Sequence, residues 1–238
     1  MGTMMKGDKD ALSIVFNGDG SLGNITVTAK SDGSVKGYVG NPQASLPSKV
    51  GEKLRVGEVV GKGTLRIIYD LAMREPYSGV VEIQSGEIAD DIAYYLTSSD
   101  QIPSAVSLGV LFNDDSSVRE AGGFIVQLMD GATDETAALL EERIASLPSV
   151  TTMLSEGETP ESILERILGD MDLQILEDGP VAFRCDCTRE RTLKLLSLVS
   201  ADELQDMVDE GEDVEMVCAF CNSKYQYSPD EIAALIEE

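Results

Sequence analysis

The sequence predicts an α+β protein with a mainly β N-terminal domain and packed helices, a helical linker, and a small C-terminal module. Short β-branched or alternating runs dominate residues 1–131, and apolar residues at helical spacing follow them. All four cysteines lie in the final 54 residues. The net charge is −6 over residues 1–131 and −19 over residues 132–238. We therefore expect three units, at 1–131, 132–180 and 181–238.

The composition excludes several classes of function. The chain has 238 residues, a net charge of −25 and no histidine. Without histidine there is no Ser-His-Asp or Cys-His catalytic group, no HExxH protease site and no imidazole pH switch. The acidic surface repels phosphate backbones, so we expect no nucleic-acid partner. No apolar stretch has the length of a membrane span or a signal peptide, so we expect no membrane partner and a cytoplasmic location with reduced thiols.

Strand-length runs separated by Gly, Asn and Asp fill the first unit. The expected strands are Leu12–Phe16, Ile25–Lys30, Val35–Val39, Thr64–Tyr69, Val80–Gln84, Ala105–Asn113 and Ala121–Leu128. A helix is expected at Glu87–Ser98, where apolar side chains recur at helical spacing. Exposed edges of such strands favour association with another chain.

The glycines of Gly18-Asp-Gly20-Ser-Leu-Gly23 match the GxGxxG pattern of dinucleotide-binding proteins. That fingerprint requires a helix directly afterwards, so that its N-terminus receives the pyrophosphate. Here the next residues alternate as a strand. The sequence therefore predicts a hairpin turn and no nucleotide site.

Two short acidic helices are expected in the middle unit. Asp134–Leu147 is one, and Thr159 caps the second with Pro160 at its first position. Their apolar stripe comprises Leu139, Leu140, Ile144, Leu147, Met153, Leu154, Ile163, Leu164, Ile167 and Leu168. The stripe has two interpretations: core packing against the first domain, or a protein-binding surface that becomes available when the linker loosens. Helices this short are marginal unless they pack on a neighbour.

The last unit is too small to be folded securely by its core alone. Its expected elements are helices at Arg189–Ser197 and Asp202–Asp209, strands at Val214–Val217 and Lys224–Tyr227, and a terminal helix. Capping boxes at Ser200–Glu203 and Ser228–Glu231 begin the second and the terminal helix.

The cysteines occur as two close pairs, Cys185-Asp-Cys187 and Cys218-Ala-Phe-Cys221. Four thiolates brought together by a small fold form a tetrahedral site that suits zinc and compensates for a weak core. A rubredoxin-like iron site would use the same ligands, and four unligated buried thiols are the remaining alternative. A bound metal keeps the thiolates ionised and hence oxidisable, so the site is either a redox switch or a purely structural zinc knob.

The two cysteine motifs, on a C-terminal module after an acidic helical linker, resemble the redox-regulated bacterial heat-shock chaperone family, the thirty-three-kilodalton chaperone. Other stretches that carry the resemblance are Ser85-Gly-Glu-Ile-Ala-Asp-Asp-Ile-Ala-Tyr-Tyr-Leu, Gln101-Ile-Pro-Ser, Ala121-Gly-Gly-Phe and Pro180-Val-Ala-Phe-Arg-Cys185. The match covers most of the chain. Family members begin with a strand and a helix ahead of the segment that starts here at Met1, so we expect the first domain to lack its first segment.

The resemblance implies an ATP-independent holdase that protects unfolded proteins from oxidative and heat aggregation. In the reduced state it implies one zinc ion on Cys185, Cys187, Cys218 and Cys221. In the oxidised state it implies Cys185–Cys187 and Cys218–Cys221 disulfides, loss of zinc, an unfolded linker, a homodimer and bound client proteins. It implies no catalytic residues.

Two other classes of function remain open at this point. One is a zinc-stabilised protein-interaction module without redox switching. The other is a thiol-disulfide oxidoreductase that uses Cys218 and Cys221, although such motifs lie at a helix N-terminus rather than between strands.

Overall fold

A computed structural model describes residues 1–45, 54–72 and 75–236. Its central sheet has six strands in the order β5-β4-β1-β2-β3-β8, and two smaller sheets pair β6 with β7 and β9 with β10. The strands are β1 Ala11–Gly18, β2 Asn24–Lys30, β3 Ser34–Val39, β4 Gly63–Asp70, β5 Tyr77–Glu82, β6 Ser104–Phe112, β7 Val118–Gln127, β8 Ala182–Phe183, β9 Val214–Val217 and β10 Lys224–Tyr227. The helices are α1 Val56–Val60, α2 Ile88–Ser98, α3 Asp134–Ser146, α4 Val150–Ser155, α5 Pro160–Leu168, α6 Arg189–Leu196, α7 Ala201–Glu210 and α8 Pro229–Ile236. The predicted α+β class is confirmed.

The glycine-rich segment after β1 forms the turn of the β1–β2 hairpin, as predicted. Gly23 has a φ of +70°, which favours glycine. The glycines also let α1 approach the hairpin. A Cβ added at Gly18 would lie 1.9 Å from the Val60 carbonyl oxygen, and one at Gly20 would lie 2.2 Å from that of Val59.

The core of the first sheet lies between its strands and α2. Its buried members are Leu12, Phe16, Val60, Leu65, Ile67, Ile92, Tyr95 and Leu96. The fully buried Asp91 accepts hydrogen bonds from the backbone N–H groups of Gln84, Ser85 and Gly86, at 2.7, 3.2 and 2.8 Å. These bonds hold the loop between β5 and α2, so the negative charge of Asp91 is compensated where it is buried.

The acidic middle helices form a second core with β7. The buried residues Leu140, Val150, Met153, Ile163 and Ile167 pack with side chains of β7 and the segment that follows it. Nine of the ten stripe residues are buried or half-buried, and Leu139 is the exposed one at 38%. The stripe packs as a core in this structure, and its role as a client surface stays a prediction.

The third core belongs to the C-terminal helices and the β9–β10 hairpin. It buries Leu196, Leu204, Tyr227 and Ile232. Both predicted capping boxes are present, because Ser200 and Glu203 satisfy each other's backbone N–H groups, as do Ser228 and Glu231.

The structure differs from the sequence prediction in a few elements. The helices α1 and α4 and the strand β8 were not predicted, and each has six residues or fewer. The strand β5 begins and ends earlier than the predicted Val80–Gln84. It begins at Tyr77, which pairs with Tyr69 of β4 and stacks on its ring. It ends before Gln84, because the Gln84 N–H donates to Asp91 and not to β4. The strand β7 starts three residues before the predicted Ala121, because a bulge lets Val118 pair with Phe112.

Candidate metal centre

The two cysteine motifs are positioned by different elements. Cys185 and Cys187 follow β8, and Cys218 and Cys221 lie in the turn between β9 and β10. The Cys218 N–H donates to the Ser223 carbonyl at 2.9 Å, and the Asn222 N–H donates to the Cys218 carbonyl at 2.8 Å. Asn222 has a φ of +58°, which asparagine tolerates better than most residues. The predicted strand-turn-strand around this motif is confirmed.

The structure brings all four predicted cysteines together. Their Sγ atoms lie within 4.8 Å of one another, and the four side chains are half-buried. The Sγ atoms of Cys187 and Cys221 lie 3.3 Å apart, and those of Cys185 and Cys218 lie 3.7 Å apart. Zinc–sulfur bonds of about 2.3 Å in a tetrahedron place the sulfurs about 3.8 Å apart. The donor set and its spacing therefore fit a metal that prefers four thiolates.

Two hydroxyl groups lie against the sulfurs. The Ser223 Oγ lies 3.3 Å from the Cys221 Sγ. The hydrogen bond between these two atoms is the largest of the effects that lower the pKa of Cys221 to about 6. The Tyr225 hydroxyl donates to the Cys187 Sγ at 3.2 Å, and this bond is the main cause that raises the pKa of Tyr225 to about 12. Burial raises the pKa of Cys185 to about 12. In the cluster without metal, Cys221 thus ionises more readily than Cys185.

Asp186 lies between the first two cysteines and contacts three cations. Lys30 on β2, Lys36 on β3 and Arg191 on α6 approach its carboxylate at 2.8, 2.5 and 2.6 Å. The hydrogen bonds from Lys30 and Lys36 hold the pKa of Asp186 well below its usual range. The site is therefore tied to the first sheet as well as to its own module.

Sequence reasoning missed Asp186, Ser223, Tyr225 and the two lysines as parts of the site. Asp186 and Tyr225 stand within four residues of a cysteine, and that proximity was the available signal. Lys30 and Lys36 are 156 and 150 residues away along the chain, so only the fold shows their role.

Comparisons with known proteins identify the family. Residues 1–228 match the family model described as Hsp33 protein. The chain belongs to the Hsp33 family. It is 48% identical over 240 residues to a 33 kDa chaperonin of Clostridium perfringens, covering 100% of this chain and 76% of that protein. A 33 kDa chaperonin of Agathobacter rectalis is 46% identical over 232 residues, covering 98% and 81%.

A crystal structure of the 33 kDa chaperonin from Thermotoga maritima has the same fold. The TM-score is 0.86 at 36% identity, and the match covers 99% of this chain and 80% of that one. Membership of the family confirms the resemblance drawn from the motifs and supports a chaperone function. Within the part of the chain that the structure describes, no helix is long and apolar enough to cross a membrane.

Proposed function

We propose that this chain is a redox-regulated, ATP-independent holdase that binds unfolded proteins after its cysteines are oxidised. The observation that carries the proposal is the four-cysteine cluster, which closes a module whose described residues include a core of four buried apolar side chains. Family membership supports the chaperone activity. The three units of the proposal are residues 1–131, 132–180 and 181–238.

Cys185, Cys187, Cys218 and Cys221 hold one zinc ion in the reduced protein. Bound zinc keeps four thiolates together and ionised, which stabilises the module and prepares the sulfurs for oxidation. The chain's own contribution is the β9–β10 turn, the hydroxyls of Ser223 and Tyr225, and the loop around Asp186, which bring the sulfurs together.

Oxidation joins Cys185 to Cys187 and Cys218 to Cys221. Each disulfide forms from two thiolates that together lose two electrons to a peroxide, whose O–O bond breaks and whose oxygens take up two protons from solvent to give two water molecules. Both oxidised pairs lose their charge and their capacity to ligate, so the module loses the constraint that compensates for its small core.

The linker then loses its order and exposes apolar surface to clients. Leu140, Met153 and Ile167 are buried in the folded linker and would become available on loosening. Residues 132–238 carry a net charge of −19, and self-repulsion of this kind weakens a compact state while it keeps an unfolded chaperone soluble. The partners of the active form are aggregation-prone proteins and a second copy of this chain, in the cytoplasm, with no nucleic acid and no membrane.

The alternative is a zinc-stabilised protein-interaction module without redox switching. The oxidoreductase hypothesis has less support, because Cys218 and Cys221 lie in the β9–β10 turn rather than at a helix N-terminus that would activate a thiol.

The deciding experiment follows metal release and client protection in one sample. Reduced, zinc-loaded protein receives mild peroxide while a chromogenic chelator reports zinc and light scattering reports aggregation of a denatured client. Release of about one zinc per chain, as expected for one four-thiolate site, with protection only after oxidation, supports the holdase. Zinc retained under peroxide, or released without protection, supports the structural module. Elemental analysis of the reduced protein separates zinc from iron.

A further inference from the structure

The loop between Cys185 and Cys187 rests on one face of the first sheet. In the β2–β3 ladder, Thr28 pairs with Lys36 and Thr26 pairs with Tyr38. Side chains two residues apart on a strand share a face, and so do direct cross-strand partners. Lys30, Lys36 and Tyr38 therefore lie on the same face of the sheet.

Asp186 engages this face with both of its oxygens. Lys30 Nζ lies 2.8 Å from Oδ2, and Lys36 Nζ lies 2.5 Å from Oδ1. The Lys36 side chain is only 13% exposed, so solvent screens this pair less than an ordinary surface ion pair. Arg191 approaches Oδ2 from the module's own helix at 2.6 Å.

The second cysteine motif contacts two residues of β3, Lys36 and Tyr38. Lys36 Nζ lies 4.8 Å from the centroid of the Phe220 ring, which stands between Cys218 and Cys221. The Tyr38 ring meets Phe220 edge-on, with centroids 5.1 Å apart and an interplanar angle of 87°. Lys36 therefore contacts both cysteine motifs, through Asp186 in the first and Phe220 in the second, and Tyr38 adds a further contact with Phe220.

The strand that carries the first motif is itself weakly held. β8 has two residues and lies parallel to β3 at the edge of the sheet. Its backbone bonds to the edge run from the Ala182 N–H to the Gly33 carbonyl at 3.1 Å and from the Arg184 N–H to the Val35 carbonyl at 2.9 Å. The Phe183 side chain is 61% exposed, so burial of this side chain adds little. The attachment of β8 thus depends on neighbouring contacts.

We propose that Lys30, Lys36 and Tyr38 form a docking site for the cysteine cluster on the first sheet, with Asp186 as its positioning residue, and that this docking keeps β8 on the edge of β3 until the cluster is oxidised. The last clause rests on the proposed function. The docking itself rests on the contacts alone.

Charge explains why oxidation weakens the docking. Four thiolates around a dication carry a net charge of about −2, and Asp186 adds one more negative charge opposite Lys30, Lys36 and Arg191. Two disulfides carry no charge, so three cations then face one carboxylate. The attraction between module and sheet falls while the cations on the sheet stay in place.

The test measures amide hydrogen exchange of the full chain, reduced and zinc-loaded, at Ala182 and Arg184. In Lys36→Gln we expect roughly 5- to 10-fold faster exchange at these two amides, the loss that removing one well-placed ion pair produces. In Asp186→Asn, which removes the ion pairs with all three cations, we expect an increase at least as large. Exchange within Val214–Val217 and the zinc content stay unchanged.

The matched controls are Asp178→Asn and Lys62→Gln. Both residues are exposed, and their side chains form no ion pair with any residue that the structure describes. We expect these two variants to leave exchange at Ala182 and Arg184 as in the wild type.

Three results would overturn the docking site. Unchanged exchange at Ala182 and Arg184 in the two variants is one. An equal rise within Val214–Val217 is another, since it would assign Asp186 to the folding of the module. Effects of the two substitutions that simply multiply in the double variant are the third, because partners in direct contact couple.

Release of β8 from β3 on oxidation has its own readout. Under peroxide, exchange at Ala182 and Arg184 rises in the wild type as zinc is released, and Asp186→Asn protects a denatured client after a shorter exposure to peroxide. Exchange that stays slow in fully oxidised wild-type protein would refute this release. If oxidised wild-type protein protects no client, the proposed function fails, while the exchange data on the reduced protein still decide the docking.

Discussion

Among the residues that the structure describes, the first sheet and its helices bury eight apolar side chains in one cluster, whereas the cysteine module buries four. The sheet cluster includes Phe16 and Tyr95, both essentially inaccessible to solvent, and α2 covers it along three turns. The module places four cysteines where a larger domain would place more core. Burial of apolar surface stabilises the first region, whereas in the proposed function the second depends on a metal cross-link that oxidation removes. The proposal therefore places the redox switch in the region with the smaller apolar core.

Removing one cysteine has the largest expected effect. If the module stayed folded without that cysteine, the contrast between the first sheet and the cysteine module would be wrong. We expect Cys218→Ser to lose zinc and to unfold the β9–β10 hairpin, because structural zinc supplies on the order of 10 kcal/mol to small domains. The first sheet keeps its protected amides in α2 and β4. Metal analysis and hydrogen exchange measure both results.

Asn222→Gly is the control for the Cys218 variant. It changes the same turn, where the positive φ suits glycine, and leaves the ligands in place. Zinc content equal to the wild type is expected. A Cys218→Ser protein with an intact hairpin would show that the small core is sufficient after all.

The stability of the linker is expected to be intermediate between that of the first sheet and that of the cysteine module. A cavity made in its core shows how much of that stability comes from apolar packing. Ile167 is fully buried on α5, and we expect Ile167→Ala to destabilise the linker by about 2–5 kcal/mol. Leu139→Ala, on the exposed side of α3, is the matched control and should cost less than about 1 kcal/mol. Hydrogen exchange in α3 and α5 measures both. Similar effects of the two substitutions would contradict the packing described for the stripe.

Within the first sheet, the close approach of α1 to the β1–β2 hairpin can be tested by adding a single methyl group. A Cβ at Gly18 would lie 1.9 Å from a backbone oxygen of α1, so Gly18→Ala forces backbone apart and should cost about 1–3 kcal/mol. Gly179→Ala is the control, because a Cβ there meets nothing within 4 Å. Urea unfolding measures the pair. Equal stability of the two variants would show that α1 moves away freely.

The elements that sequence reasoning found have local causes. The capping box at Ser200 and Glu203, the proline at the start of α5 and the alternation in β2 act over a few residues, so a linear pattern reveals them. The CxC and CxxC spacings likewise indicated that four sulfurs would meet. β8 has two residues, too few to show any period, and α4 has six.

The missed parts of the site depend on distant pairing. Lys36 reaches Asp186 only because β3 lies next to β8 and because its face of the sheet is turned toward the module. Neither lysine differs from a surface lysine in the sequence. Local patterns therefore predicted the ligands of the candidate metal centre, whereas its attachment to the sheet required the tertiary structure.

The smallest expected effect concerns pH and the ion pair that joins α3 to the end of α5. Arg143 contacts the Asp170 carboxylate with two nitrogens at 2.5 Å each and also donates to the Ile167 carbonyl at 3.0 Å. The hydrogen bond from Arg143 lowers the pKa of Asp170 from 3.8. A carboxyl whose pKa is lower in the folded state stabilises that state above its unfolded value and loses this contribution as the pH falls through the folded value. The linker should therefore weaken on acidification below about pH 4.

Asp170→Asn isolates this contribution. The variant should already show faster exchange in α3 and α5 at pH 7, and its difference from the wild type should shrink toward zero as the pH falls. Asp178→Asn, on an exposed residue of the same unit, should follow the wild type at every pH. Because the Asp170 side chain is 64% exposed, the difference at pH 7 is expected to be small, and salt should reduce it further. A difference between Asp170→Asn and the wild type that persists unchanged at pH 3 would mean that the aspartate acts through packing and not through its charge.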